Sequence, residues 1–361
     1  MFSSKILTTS RKKGYAIPEK AENAYITGQK MKKIIDDERL IYKCCHFYYK
    51  DGLGQKEISD RLGISRTTVS RLLQAGKEKG IVKIDVINVY GSMYDDLERK
   101  LEDRLHLKEV LIIDENEFET QFEHQERVNE EALKYLSRIF RDKDYIGVSM
   151  GRTLFNIANS KELADERDAI FVPVVGGVGY GQSNEGFHAN DIAAAFAKKF
   201  GGSSIPFYAP AMFNNRDIMK GFLEERSIRK VTDLFAKLHT VVMGIGCTDR
   251  DGTLSQSGYL TPEELQEFSK KGVVGDCLLK LVDANGNEEA FSDFNDRVMG
   301  LSKEQLVTIP NRVGIAVGRN KGQAVLGVIR SQKVNILITD VSCVQKMIEL
   351  LDKEAAECQE N

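Results

Sequence analysis

Residues 55–76, QKEISDRLGISRTTVSRLLQAG, read as two short helices joined by a tight turn. Over 55–62 the apolar side chains Ile58 and Leu62 share one helical face. Gly63 supplies a residue that takes a positive φ without a Cβ clash, as a turn between two helices requires. Ile64 packs under that turn, and Ser65 stands where a second helix needs its N-cap. The second helix sends Val69, Leu72 and Leu73 to the core, while Arg66, Thr67, Ser70 and Arg71 occupy its other face. Side chains of these types donate to phosphates and to base edges in a major groove. Lys56, Ser65, Arg66, Thr67, Thr68, Ser70 and Arg71 are therefore the candidate DNA-binding residues, with Arg61 and Lys77 as further phosphate contacts. The plainer alternative is an inert helical hairpin, which would more often mix Glu and Lys on that face.

Charge is unevenly spread around this segment. Residues 1–90 hold 18 Lys and Arg against 10 Asp and Glu, whereas residues 91–361 hold 33 against 44. A basic head suits a polyanion, because each neutralised phosphate releases counterions. The acidic remainder would be repelled by DNA. Part of the excess sits in residues 1–33, which are polar, basic and aperiodic and read as a flexible leader, with Met31 a candidate start.

At 361 residues the chain has room for two or three cores. Its composition, 42% hydrophobic and 29% charged, is that of a globular protein, and no apolar run is long enough to span a membrane. The first residues turn basic too soon for a signal peptide, which points to the cytoplasm. Six scattered cysteines, with no C-x-x-C and no Cys/His cluster, imply reduced thiols and neither a metal nor a cofactor.

Residues 34–50 add a first amphipathic helix, so that 34–90 forms a helix-turn-helix domain. Gly80 caps the second helix of the pair, and the alternating run at 81–88 predicts a strand, either a wing or the start of the next domain. From about residue 92 strand-like runs alternate with helices: EVLIID, helix 123–141, YIGVSM, a helix from Arg152, AIFVPVV, a helix from Asn190, SIPFYAPA, a long helix over 216–238, TVVMGIG, a hairpin about Asp283–Gly286, GIAVG, NILITD and a last helix. Such repetition implies an α/β fold with a largely parallel sheet and helices on both faces.

In sheets of this kind ligands bind beyond the carboxyl ends of the strands. Three loops there carry the right residues. In the first, Ser149, Gly151, Arg152 and Thr153 offer backbone N–H groups, hydroxyls and a guanidinium to an anion at a helix N-terminus. The second, with Gly176, Gly177 and Gly179, either lets backbone approach a ligand or is a flexible loop; Asn190 and Asp191 cap the helix after it. In the third, Lys321 stands at another helix start, where positive charge favours phosphate, although a lone loop lysine is more often merely solvated. Asp276 can accept hydrogen bonds from sugar hydroxyls, or be a turn aspartate.

These pieces, with HANDIAAAFAKKFGG, GVVGD, NDRVMGLSKEQL and VGIAVGRNKGQAVLGVIRSQKVNILITD, occur in an order that resembles the SorC/DeoR-type family of bacterial sugar-responsive transcriptional regulators, over about residues 36–352. The resemblance implies that residues 91–361 form a Rossmann-like, sugar-phosphate isomerase-like domain for effector binding and oligomerisation. It implies that the Ser149–Thr153 loop and Lys321 hold a phosphate and that Asp276 meets the rest of the ligand. Family members are commonly tetrameric and bind palindromic operators. Two departures stand out: Met150 occupies a position where the family often has Trp, and the leader has no family counterpart.

The expectation is a non-enzymatic cytoplasmic regulator of a carbohydrate-utilisation operon. Its partners would be operator DNA, a sugar or sugar-phosphate effector, and further copies of itself as a dimer or tetramer. The alternative is a sugar-phosphate-metabolising enzyme with a DNA-binding head. Against it, no Glu or His lies in the three loops to serve as general base; Glu185 and His188 are nearest. An architectural DNA protein would be small and basic throughout.

Overall fold

The computed structural model describes residues 37–84, 94–116, 118–178, 187–248 and 252–360. The leader, Met31, residues 85–88 of the expected strand, Gly179 and Glu185 lie outside that set. The chain divides into two compact units, Met1–Gly91 and Ser92–Asn361.

The first unit is a three-helix head: α1 (Glu38–Tyr49), α2 (Gln55–Leu62) and α3 (Arg66–Glu78). The Asp37 carboxylate caps α1 by accepting the N–H groups of Arg39 and Leu40, at 3.0 and 3.1 Å. Gly63 takes φ 64° between α2 and α3, the left-handed conformation the turn needs. Ser65 caps α3 by accepting the Thr68 N–H at 3.2 Å. Ile41, Cys44, Ile58, Val69 and Leu72 are fully buried between the helices. Gly76 sets how closely α1 and α3 approach: a Cβ there would lie 2.3 Å from the Cys45 Sγ. Residues 81–84 form no strand, so the described half of that expectation fails.

The second unit runs α4 (Asp95–Leu105), β1 (Glu109–Ile113), α5 (Gln121–Ile139), β2 (Tyr145–Val148), α6 (Arg152–Asn159), β3 (Ile170–Pro173), α7 (Ala189–Phe200), β4 (Ser203–Ser204), α8 (Arg216–Leu223), α9 (Arg226–Thr232) and β5 (Leu238–Cys247). It continues through α10 (Thr253–Gln256), α11 (Pro262–Lys270), β6 (Val273–Cys277), β7 (Lys280–Asp283), α12 (Ser292–Asn295), α13 (Lys303–Leu306), β8 (Asn311–Ile315), α14 (Gly322–Arg330), β9 (Ile336–Asp340) and α15 (Val341–Glu360). Seven strands form a parallel sheet in the order β1-β9-β8-β5-β2-β3-β4. The hairpin β6–β7 adds antiparallel to the far end of β5. Both faces of the sheet are covered, and the strands alternate between two cores. Phe171, Val242, Ile336 and Ile338 face one core, with Leu136, Phe196 and Phe200; Val172, Val241, Met243 and Leu337 face the other, with Val325 and Val344. This period of two in near-continuous apolar runs is what burial on both faces of a parallel sheet demands.

Three expected elements differ. Only Ser203–Ser204 of the run SIPFYAPA pairs as strand. The stretch 216–238 is not one helix but α8, α9 and a 3-10 turn at Asp233–Lys237; it breaks at Glu225, whose backbone is extended (ψ 131°). The hairpin turns at Leu278–Leu279 and not about Asp283–Gly286. Asp283 instead ends β7, its carboxylate accepting the N–H groups of Asn285 and Asn287 at 2.9 and 2.8 Å.

Candidate functional site

On the head, Lys56, Arg66, Thr67, Ser70 and Arg71 are exposed, the last four on one side of α3. Ser65 is exposed too, with its hydroxyl engaged in capping. Thr68 is not available: it is 7% exposed, and its hydroxyl lies 2.8 Å from that of Ser65. It belongs to the cap, because one turn into the helix its side chain swings inward beside Val69. Arg61 stacks over the Phe47 ring, 4.5 Å from its centroid, so its guanidinium is held in place.

In the second unit the strand order reverses between β2 and β5. β2 leads through α6 to β3 on one side, while β8, β9 and β1 lie on the other. A narrow cleft of about 50 Å³ lies at this switch point, where ligands of doubly wound sheets sit. It is lined by Met150, Gly151, Arg152 and Thr153 after β2, by Gly244, Ile245 and Gly246 on β5, by Leu254, by Asp276, Leu278 and Leu279 of the hairpin, and by Lys321. Five of the nine expected effector residues thus share one cavity, although they come from positions as far apart as 151 and 321.

Local structure explains each placement. Gly151 holds φ 130°, which a residue with a Cβ rarely adopts, and so turns β2 sharply into α6. Arg152 and Thr153 then occupy the first turn of α6, whose end has no side-chain cap. Such an end leaves backbone donors for an anion. Arg152 is exposed, bonds Gln256 and lies 5.9 Å over the Phe187 ring. Lys321 closes a 3-10 turn and is itself the N-cap of α14. Asp276 sits on β6 against β5, where Gly246 makes room: a Cβ there would lie 2.0 Å from Asp276 Oδ1. Burial pushes the Asp276 acid up to about 6, against the pull of Lys321, Lys333 and the Leu279 N–H.

The other four expected residues do not line the cleft. Ser149 is 2% exposed; its hydroxyl donates to the Met150 carbonyl at 3.0 Å and accepts the Gly244 N–H at 3.3 Å. It ties β2 to β5. Gly176 and Gly177 are buried, and their missing side chains admit protein, not ligand. A Cβ on Gly176 would lie 2.2 Å from the Pro210 carbonyl oxygen, and one on Gly177 2.2 Å from the Asn190 amide. Asn190 accepts the Phe207 N–H at 2.8 Å and donates to the Phe207 carbonyl at 3.4 Å, fastening the 207–211 segment to α7.

Sequence reading missed the apolar wall of Leu254, Leu278 and Leu279, which carries no polar signal. It also missed Lys333, 1% exposed, whose ammonium bonds Glu288 at 3.0 Å. Glu288 takes Lys303 as well, at 3.0 Å. Despite its burial Glu288 keeps a lowered pKa, because both lysines stabilise the anion. A buried lysine looks the same as a solvated one in sequence.

The family model described as "Putative sugar-binding domain" matches residues 92–349. The sorbitol operon regulator of Klebsiella pneumoniae is 27% identical over 316 residues, 87% of this chain and 99% of that protein. The deoxyribonucleoside regulator of Bacillus subtilis is also 27% identical, over 87% of this chain and 98% of its own. The crystal structure of the full-length sorbitol operon regulator SorC from Klebsiella pneumoniae superposes with a TM-score of 0.63 at 28% identity, covering 86% of this chain and 99% of that one. With a helix-turn-helix head followed in the chain by an α/β unit that holds a switch-point cleft, the chain belongs to the SorC/DeoR-type family of transcriptional regulators with a sugar-binding domain.

Proposed function

We infer that this protein is a DNA-binding regulator of a carbohydrate-utilisation operon, switched by a sugar phosphate held in the cleft between β2 and β5. The observation that carries the reading is the convergence of the uncapped α6 N-terminus, Thr153, Arg152 and Lys321 on one cavity. Backbone donors, a hydroxyl and two cations suit a phosphate dianion, and Asp276 suits the sugar hydroxyls. Arg66, Thr67, Ser70 and Arg71 would read base edges, and Lys56 and Arg61 would position the head on phosphates. The effector acts by binding two states of the protein unequally, and the shift cannot exceed that difference. Action in the cytoplasm, a palindromic operator and a dimeric or tetrameric assembly complete the proposal. No helix among the described residues is long and apolar enough to cross a membrane.

One observation favours a second reading. A buried carboxyl pushed up to about 6 beside a lysine is what an isomerase would use as base. Turnover of any sugar phosphate by the full chain would establish that enzyme. The test of the leading reading is the thermal midpoint of the full chain against free and phosphorylated sugars. A ligand confined to the folded state at 100 times its Kd stabilises by about 2.7 kcal/mol. A shift with a phosphorylated sugar and not with its free counterpart, lost in Thr153→Ala and Lys321→Ala, is expected. A shift that survives both substitutions would place the ligand elsewhere.

A further inference from the structure

Two leucines occupy a hairpin turn that demands left-handed backbone. Cys277 pairs with Lys280, leaving Leu278 and Leu279 as the whole turn, at φ 58° and 61°. Turns of this kind favour Asn-Gly, because a larger L side chain is strained in that region. Neither leucine faces solvent. They are 4% and 3% exposed and line the cleft beside Met150, Ile245 and Leu254. The turn follows one residue after Asp276, the acidic residue lining the same cleft. Backbone strain persists where its surroundings over-determine it, and it gathers at ligand sites. The cleft is therefore lined both by Arg152, Thr153 and Lys321 and by a hydrocarbon wall.

We propose that the Leu278–Leu279 turn is the specificity element of this cleft and selects a sugar phosphate lacking a hydroxyl on the carbon that faces the two leucines. The inference rests on the phosphate reading above. A hydroxyl pressed against that wall loses water and gains no partner, whereas a C–H face fits it. Apolar pockets discriminate against an added hydroxyl by about 10- to 100-fold.

The test is calorimetric titration of the full chain with matched pairs: 2-deoxyribose 5-phosphate against ribose 5-phosphate, and a 6-deoxyhexulose 1-phosphate against its hydroxylated parent. The deoxy member of at least one pair should bind about 10- to 100-fold tighter. In Leu279→Asn that ratio should shrink severalfold, while Lys321→Ala weakens both members alike. A purely structural turn would lower both affinities in Leu279→Asn and keep the ratio, which overturns the proposal. Should that variant not fold, Leu279→Gly, suited to the left-handed position, carries the same ratio test. Equal binding, or tighter binding of the hydroxylated members, overturns the inference and leaves the phosphate reading intact. Binding of none of the four overturns it too; inorganic phosphate that still binds, and is lost in Lys321→Ala, would then preserve the phosphate site.

Discussion

Asp276 carries a cost that bears on its purpose. Its carboxyl ionises near 3.8 when unfolded and at about 6 when folded. The folded state therefore holds the extra proton between those values, and stability from this group is greatest below pH 3.8. It declines as the pH rises to about 6, by up to about 3 kcal/mol. Asp276→Asn should raise the thermal midpoint at pH 7.5, with the gain shrinking toward pH 4, while affinity for the sugar phosphate falls. A midpoint lowered at both pH values would show that the carboxylate stabilises the fold. The cysteines offer a simpler check. Burial pushes the Cys277 and Cys343 thiols up to about 12, and Cys358 is the exposed one of six. A thiol reagent should label Cys358 in the native protein and reach Cys277 and Cys343 only on unfolding, because the thiolate is the reacting form. Rapid native labelling of either would contradict that burial.

Among the elements, α3 and its neighbour α1 meet at Gly76, where a Cβ would strike the Cys45 sulfur. Gly76→Val should destabilise the first unit by about 1–3 kcal/mol through overpacking. In a denaturant series read by circular dichroism, the head's transition should move and sugar-phosphate affinity should not. An unmoved transition would mean the helices separate without penalty. The elements that sequence made legible are those with loud local chemistry. The head was readable from Gly63, Ser65 and the Val69–Leu72–Leu73 stripe, and the sheet from its β-branched runs. The hairpin was misplaced because Asp-Ala-Asn-Gly announces a turn while Leu-Leu does not. The cleft was half legible: glycines at a β-α turn look alike whether they border open space, as Gly151 does, or packed protein, as Gly176 does against the Pro210 backbone and Gly177 against the Asn190 side chain. Only tertiary packing separates the two. The same holds for Ser149 and Asn190, polar residues whose partners lie on other strands and loops.

The chain joins a basic head to an acidic second unit. Operator affinity should fall steeply with salt, and Lys56→Ala should reduce the slope of log K against log[salt] by about 1, as loss of one phosphate contact does. Arg71→Ala should cost about 1–3 kcal/mol and act more on specific than on non-specific DNA, if it reads a base edge. Equal losses on both DNAs would make it a phosphate contact. The central claim is that occupancy of the β2–β5 cleft controls operator binding. The most direct measurement is operator affinity of the full chain, by fluorescence anisotropy, with and without a saturating phosphorylated sugar that binds it, in the wild type and in Lys321→Ala. The account predicts a change of about 5- to 150-fold in the wild type, the usual range of such coupling, and none in Lys321→Ala at the same sugar concentration. An operator affinity indifferent to the bound sugar would contradict it.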